Sequence, residues 1–243
     1  MVHRPIQQRT PLFAYSLRNV TEAAALAAYD WVGRGDKNGT DGAAVEAMRR
    51  ELNALPIEGT VIIGEGAKDE APELYCGEAI GLPRHRAKFD IAVDPVEGTS
   101  YTALGLANAL SVIAMAPRGT MFDPGPSFYM DKIAVPKEAK GLIDPTAPTA
   151  EKLRVLARAL GKKVSELTVF LLEKPRHKKL VQDIYAAGAR CSLYPAGDVM
   201  GGLLAAFPDS GVDMLLGTGG TPEGVLTACA LRGLGADFMG RFN

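Results

Sequence analysis

From residue 150 onward the chain alternates between two hydrophobic rhythms, and that alternation constrains the fold more than any other feature. AEKLRVLARAL (150–160) repeats apolar residues at helical spacing and stops at Gly161, and LTVFLLE (167–173) is a continuous apolar run of strand length. HKKLVQDIYAAG (177–188) reads as helix, RCSLYP (190–195) as strand, DVMGGLLAAF (198–207) as helix and VDMLLG (212–217) as strand. PEGVLTACALRG (222–233) closes the series as a helix with Pro222 in its first turn. Strands joined by helices of this length predict a mostly parallel sheet, because a parallel neighbour is reached only through a long crossover.

The first half has a different texture. NVTEAAALAAYDWV (19–32) predicts a helix capped by Asn19 with Glu22 three residues on, GRGDKNGTDG (33–42) a glycine-rich loop, and 43–55 a second helix. Short strands are expected at 60–63, 90–94, 109–117 and 132–136. The Pro- and Gly-rich KEAKGLIDPTAP (137–148) marks the division, so the expected units are an α+β unit over 1–140 and an α/β unit over 141–243. With 47% hydrophobic residues the 243-residue chain can bury a sizeable core.

Charge narrows the function classes. The 27 Lys+Arg against 28 Asp+Glu leave a net charge of −1, with no basic excess for nucleic acid or a membrane surface. No apolar run reaches the roughly 18–20 residues that span a bilayer. MVHRPIQQRTPLF at the start lacks a signal peptide's apolar core, so a cytoplasmic location is expected. Cys76, Cys191 and Cys229 are far apart, form no CxxC and read as free thiols.

In an open parallel sheet, ligands bind beyond the carboxyl ends of the strands. Lys174-Pro175-Arg176, Gly197-Asp198 and the GTGGTPEG segment with Glu223 each follow one of three consecutive strands. In the first half, Glu65 follows one strand, Asp94 and Glu97 follow another, and Asp41 sits in the glycine-rich loop. Each acid taken alone has a second reading, as a solvated loop residue or, for Asp41, a helix N-cap. Together they read as carboxylates held on rigid ends, able to share a cation. All three histidines (His3, His85 and His177) lie outside the acidic motifs, and His177 is expected on the solvated surface. Oxygen ligands without imidazole suit Mg²⁺ or Mn²⁺ rather than zinc. A hard divalent ion near Lys174 and Arg176 points to phosphate chemistry, with arginine gripping a phosphate bidentately and lysine acting as a point charge. Thr99, two residues after Glu97, can orient a water.

Asp94-Pro95-Val96-Glu97-Gly98-Thr99 resembles the D-P-[IVL]-[DE]-G-[TS] signature of the metal-dependent, lithium-sensitive phosphatases. WVGRGDKNGTDGAAVEAMR (31–49), IGEGAKDEAPELYCGEAIG (63–81), NALSV (108–112), EKPRH (173–177) and GGTPEGV (219–225) are similar to class II fructose-1,6-bisphosphatases. Cyanobacterial members of that class also hydrolyse sedoheptulose-1,7-bisphosphate. The resemblance implies a layered αβαβα sandwich with metals between its halves. By motif it implies metal ligands at Asp41, Glu65, Asp94, Glu97 and Glu223. It implies water activation by Asp69 with Thr99, and an active-site lysine at Lys37. Tyr129, Lys174, Arg176 and Asp198 would contact the substrate, with the Glu97-Gly98-Thr99 turn beside it. Without the resemblance, Tyr129 reads as a strand-edge aromatic. The implied reaction is hydrolysis of the 1-phosphate of fructose-1,6-bisphosphate with Mg²⁺ or Mn²⁺. The alternatives are a sedoheptulose-bisphosphatase, an inositol-type monophosphatase or a non-catalytic phosphosugar-binding protein.

Two departures stand out. Family members usually read D-G-D where this chain has Ala196-Gly197-Asp198, so one sugar-binding acid is missing. The family also usually continues well beyond the position of Asn243, so the second unit is expected to be shortened. An edge left open there would pair with another subunit in a homodimer or homotetramer.

Overall fold

The computed structural model describes residues 10–66 and 73–242. They fall into two compact units, residues 1–123 and 124–243. KEAKGLIDPTAP, the expected division, lies within the second unit, because the strand before it is already laddered to that unit's sheet.

The first unit begins with α1 (Thr10–Tyr29) and α2 (Lys37–Asn53). Its sheet holds β1 (Glu58–Ile63), β2 (Ala79–Gly81), β3 (Lys88–Glu97) and β4 (Leu110–Pro117), with the short helix α3 (Thr99–Leu104) between the last two. The strand order is β2-β1-β3-β4, with β1 and β3 parallel and the two outer pairings antiparallel. Val20, Ala24 and Ala28 of α1 pack with Ala44, Met48 and Leu52 of α2 against Val61, Ile91 and Val93 of the sheet.

Both helices start earlier than the sequence pattern predicts. Asn19 lies inside α1, because the buried stripe extends back through Leu17. The expected loop 33–42 is half helix. Asp36, not Asp41, is the N-cap of α2, and its carboxylate accepts the backbone N–H of Gly39 at 2.9 Å. Gly39 reads as a loop residue in sequence but is a packing residue in the fold, since a Cβ there would fall inside the Trp31 ring.

The second unit contains β5 (Tyr129–Val135), α4 (Thr149–Ala159), β6 (Thr168–Leu172), α5 (Lys178–Ala186), β7 (Arg190–Tyr194), α6 (Asp198–Ala206), β8 (Met214–Gly220), α7 (Thr221–Leu234) and β9 (Asp237–Phe242). The order is β7-β6-β8-β5-β9. Strands β6, β7 and β8 run one way, as the alternation predicts, β9 runs with them, and β5 runs against them between β8 and β9. Strand β9 is not foreseen, since DFMGRF interrupts its apolar residues with glycine and arginine. Strand β8 continues through Gly219 and Gly220, expected as loop, because both pair with β5.

Alternation across this sheet sorts its two faces. Ile133, Val135, Val169 and Leu171 join Leu153, Leu156 and Ile184 in a core under α4 and α5. Phe170 points the other way, toward Gly201 of α6, and Met130 toward Gly224 of α7. The unit is thus three layers, helix on sheet on helix. All three cysteines are free thiols. Among the described residues no helix is long and apolar enough to cross a membrane.

Candidate active site

The parallel pairing of β1 and β3 puts Glu65 and Asp94 beyond the same end of neighbouring strands. The register Ile63↔Ala92 sets Glu65 and Asp94 each two residues further along neighbouring strands. The DPVEG segment is not a solvated turn. Strand β3 runs on through Asp94 to Glu97, with an irregularity between those residues, and Glu97 is buried. Asp94 Oδ1 accepts the Val96 N–H at 3.1 Å, which braces the irregularity. Gly98 follows at φ 80°, a left-handed conformation that a side chain resists, and turns the chain into α3. Thr99 then starts α3, and its hydroxyl donates to Asp41 Oδ1 at 3.0 Å.

Asp41 reaches that contact from inside α2, one turn after the exposed Lys37. Burial pushes its carboxyl above the ordinary range, and the Thr99 hydrogen bond and the Lys37 charge partly offset this. Glu65 is exposed at the end of β1. Asp69 lies outside the described residues. Among the described residues no three His, Cys, Asp or Glu side chains stand close enough together to hold a metal ion.

The second unit places polar groups along one sheet edge. The carboxyl ends of β6, β7 and β8 share one edge with the amino end of the reversed β5, where Tyr129 pairs with Gly220. Arg176 donates from Nε and Nη2 to the Thr218 carbonyl at 3.1 and 2.8 Å. Its guanidinium lies 5.5 Å over the Tyr129 ring, which is 54% exposed. Tyr129 is thus the exposed aromatic at the start of β5 that its sequence position suggests without the resemblance. Lys174 is half-buried beside Arg176.

His177 corrects the sequence reading. It is 3% exposed, and its Nε2 accepts the Thr218 N–H at 2.8 Å. That acceptor leaves Nδ1 to donate to the Leu172 carbonyl at 2.7 Å. The ring thereby ties the end of β6 to the end of β8 and anchors the carbonyl on which Arg176 rests.

Lys132 was missed altogether. It sits in the apolar-looking KIAVP, yet it is 1% exposed and its Nζ donates to Asp198 Oδ2 at 2.7 Å. Little in the sequence signals this, since Lys132 follows Asp131 at the start of the apolar run. Glu223 lies in the first turn of α7 with its Oε2 buried, and no hydrogen-bond partner for that oxygen exists among the described residues. Desolvation pushes its carboxyl up, Lys132 draws it down and Asp198 raises it again. Gly219 and Gly220 make room for these acids, for a Cβ at either would overlap Asp198 Oδ2 or Glu223 Oε2.

An α+β chain with carboxylates at one sheet edge, and an arginine, a lysine and an orphaned carboxylate at another, has the groups of a phosphate-ester hydrolase. The relatives agree. A model of the family described as bacterial fructose-1,6-bisphosphatase, glpX-encoded, matches residues 12–243, and the chain belongs to that family. It is 52% identical over 228 residues to fructose-1,6-bisphosphatase 1 class 2 of Escherichia coli (strain K12), covering 94% of this chain and 67% of that protein. The class 2 enzyme of Shigella flexneri matches with the same identity and coverage.

Proposed function

We propose that this chain hydrolyses fructose-1,6-bisphosphate at its 1-phosphate, giving fructose-6-phosphate and phosphate with the help of Mg²⁺ or Mn²⁺. The family match over residues 12–243 carries this reading. The structure supplies a test of fit for the metal. Glu223 Oε2 is a buried, unbonded carboxylate oxygen whose desolvation a cation would relieve, and every proposed ligand is a hard oxygen donor. Asp41, Glu65, Asp94, Glu97 and Glu223 are the proposed ligands.

A divalent ion, when bound, makes water more acidic and offsets charge on the attacking and leaving oxygens. The protein's own groups do the rest. Thr99, held by Asp41, orients the attacking water, and Asp69 takes its proton as the oxygen attacks phosphorus in line with the sugar oxygen. The phosphorus–sugar oxygen bond breaks, its electron pair stays on the sugar oxygen, and that oxygen takes up a proton from solvent. Lys37 adds positive charge beside Asp41. Arg176 and Lys174 hold phosphate, Tyr129 supports the guanidinium, and Asp198 accepts a sugar hydroxyl.

Ala196 bears on which sugar is cut. A lost hydrogen bond at a buried polar site costs about 1–3 kcal/mol, roughly tenfold to a hundredfold in affinity. Ala196→Asp is therefore expected to lower KM for fructose-1,6-bisphosphate by about tenfold. Phosphate release should be measured with Mn²⁺, with Mg²⁺ and with chelator, over fructose-1,6-bisphosphate, sedoheptulose-1,7-bisphosphate and inositol monophosphate. No release from the first, under conditions where the Escherichia coli relative is active, refutes the reading. The same reading takes the protein to be cytoplasmic and a homodimer or homotetramer, which sedimentation would test.

A further inference from the structure

We propose that Lys132 is a positioning residue for sugar recognition, holding the Asp198 carboxylate in the one orientation that meets the substrate. The inference rests on the proposed fructose-bisphosphatase reading, and four observations support it.

Lys132 stands mid-strand in β5, opposite Gly217 of β8, on the face covered by α6 and α7. At 1% exposure it has no water to solvate its ammonium, so the 2.7 Å contact to Asp198 Oδ2 is its charge partner. Asp198 is 5% exposed and opens α6 directly after Gly197 at φ 89°, so its backbone is set by that turn. The slot for the pair is built by absent side chains. A Cβ at Gly219 would overlap Asp198 Oδ2 and lie 3.1 Å from Lys132 Nζ, and one at Gly224 would lie 3.3 Å from Lys132 Cε.

A buried ion pair contributes little net stability compared with an apolar pair of the same volume, whereas it does specify geometry. Here it engages Oδ2, so that Oδ1 would be the oxygen to accept a sugar hydroxyl. With Ala196 in place of a second acid, Asp198 is the one carboxylate left on this turn. Its orientation therefore has no neighbouring acid to replace it.

The test is binding of fructose-6-phosphate and of inorganic phosphate by titration calorimetry, for the unaltered protein, Lys132→Met and Lys132→Gln. Methionine fills the slot without a donor, and glutamine can still donate to Oδ2. Lys132→Met should weaken fructose-6-phosphate at least tenfold and leave inorganic phosphate within about twofold, and Lys132→Gln should fall between. Equal weakening of both ligands, or unchanged binding of fructose-6-phosphate, overturns the proposal. If Lys132→Met does not fold, Lys132→Gln decides alone by the same comparison of the two ligands. An unaltered protein that binds fructose-6-phosphate yet releases no phosphate from fructose-1,6-bisphosphate refutes the reaction and leaves the role of Lys132 standing.

Discussion

Gly220→Ala separates the site's geometry from the fold's stability. Gly220 is the N-cap of α7 at φ −62° and ψ 137°, values any residue adopts, so the added methyl brings no backbone strain. It does bring a collision. The new Cβ would lie 1.9 Å from Glu223 Oε2 and 2.7 Å from Cδ, against an ordinary contact of at least 3.4 Å. The carboxylate must retreat by about 1.5 Å. It sits at the end of a flexible side chain, so the retreat costs only an off-rotamer torsion of about 0.5–1.5 kcal/mol. Replacing glycine by alanine at a permitted φ/ψ returns about 0.4–1 kcal/mol through the unfolded state. The net change in stability is therefore within about 1 kcal/mol, a melting shift of no more than roughly 4 °C. Catalysis has no such compensation, since a displacement of about 1 Å at a reacting centre can cost about a hundredfold. The expected result is a near-normal melt with phosphate release reduced about a hundredfold and a raised requirement for Mn²⁺. Full activity in a folded Gly220→Ala protein would show that Glu223 is not a ligand. A collapse of the melt would show that the carboxylate lacks the freedom assumed here.

Other consequences follow from single contacts. Asp36→Ala removes the cap on Gly39 N–H and should cost about 1 kcal/mol, seen as a lower urea midpoint with unchanged slope. Gly201→Ala drives a methyl to 2.3 Å from Phe170 Cδ1, whose ring is stacked at 4.7 Å on Tyr194, and should cost about 1–3 kcal/mol by the same measurement. Burial raises the Glu223 carboxyl above its unfolded value of 4.5, so the native state keeps a proton that the unfolded chain has released. Its contribution to stability is thus full below pH 4.5 and falls as pH rises through the raised value. In chelator-treated protein, Glu223→Gln should flatten this part of the melting profile, and an unchanged profile would contradict the burial argument.

Much of this was legible before any coordinates. The helix–strand alternation after residue 150 foretold α4, β6, α5, β7, α6, β8 and α7 to within a few residues, because apolar period and turn residues act locally. The phosphatase signature likewise stands in consecutive residues, as do the Lys174–Arg176 loop and the acid in the first turn of α7. What failed locally was decided at a distance. GRGDKNGTDG looks like a loop because glycine and asparagine weaken a helix, but half of it is held helical by the Asp36 cap and by Gly39 meeting Trp31. DFMGRF becomes a strand because β5 offers it an open ladder.

His177, expected on the surface, and Lys132, which the sequence does not single out, are both buried polar groups. Each is buried because its partner comes from another strand or helix, namely Thr218 on β8 and Asp198 at the start of α6. By itself, then, the sequence determined the family and the alternation of helices and strands from residue 150 to 234. Only the tertiary structure decided which polar groups face each other, because a buried charge or imidazole is tolerated only where a partner distant along the chain satisfies it.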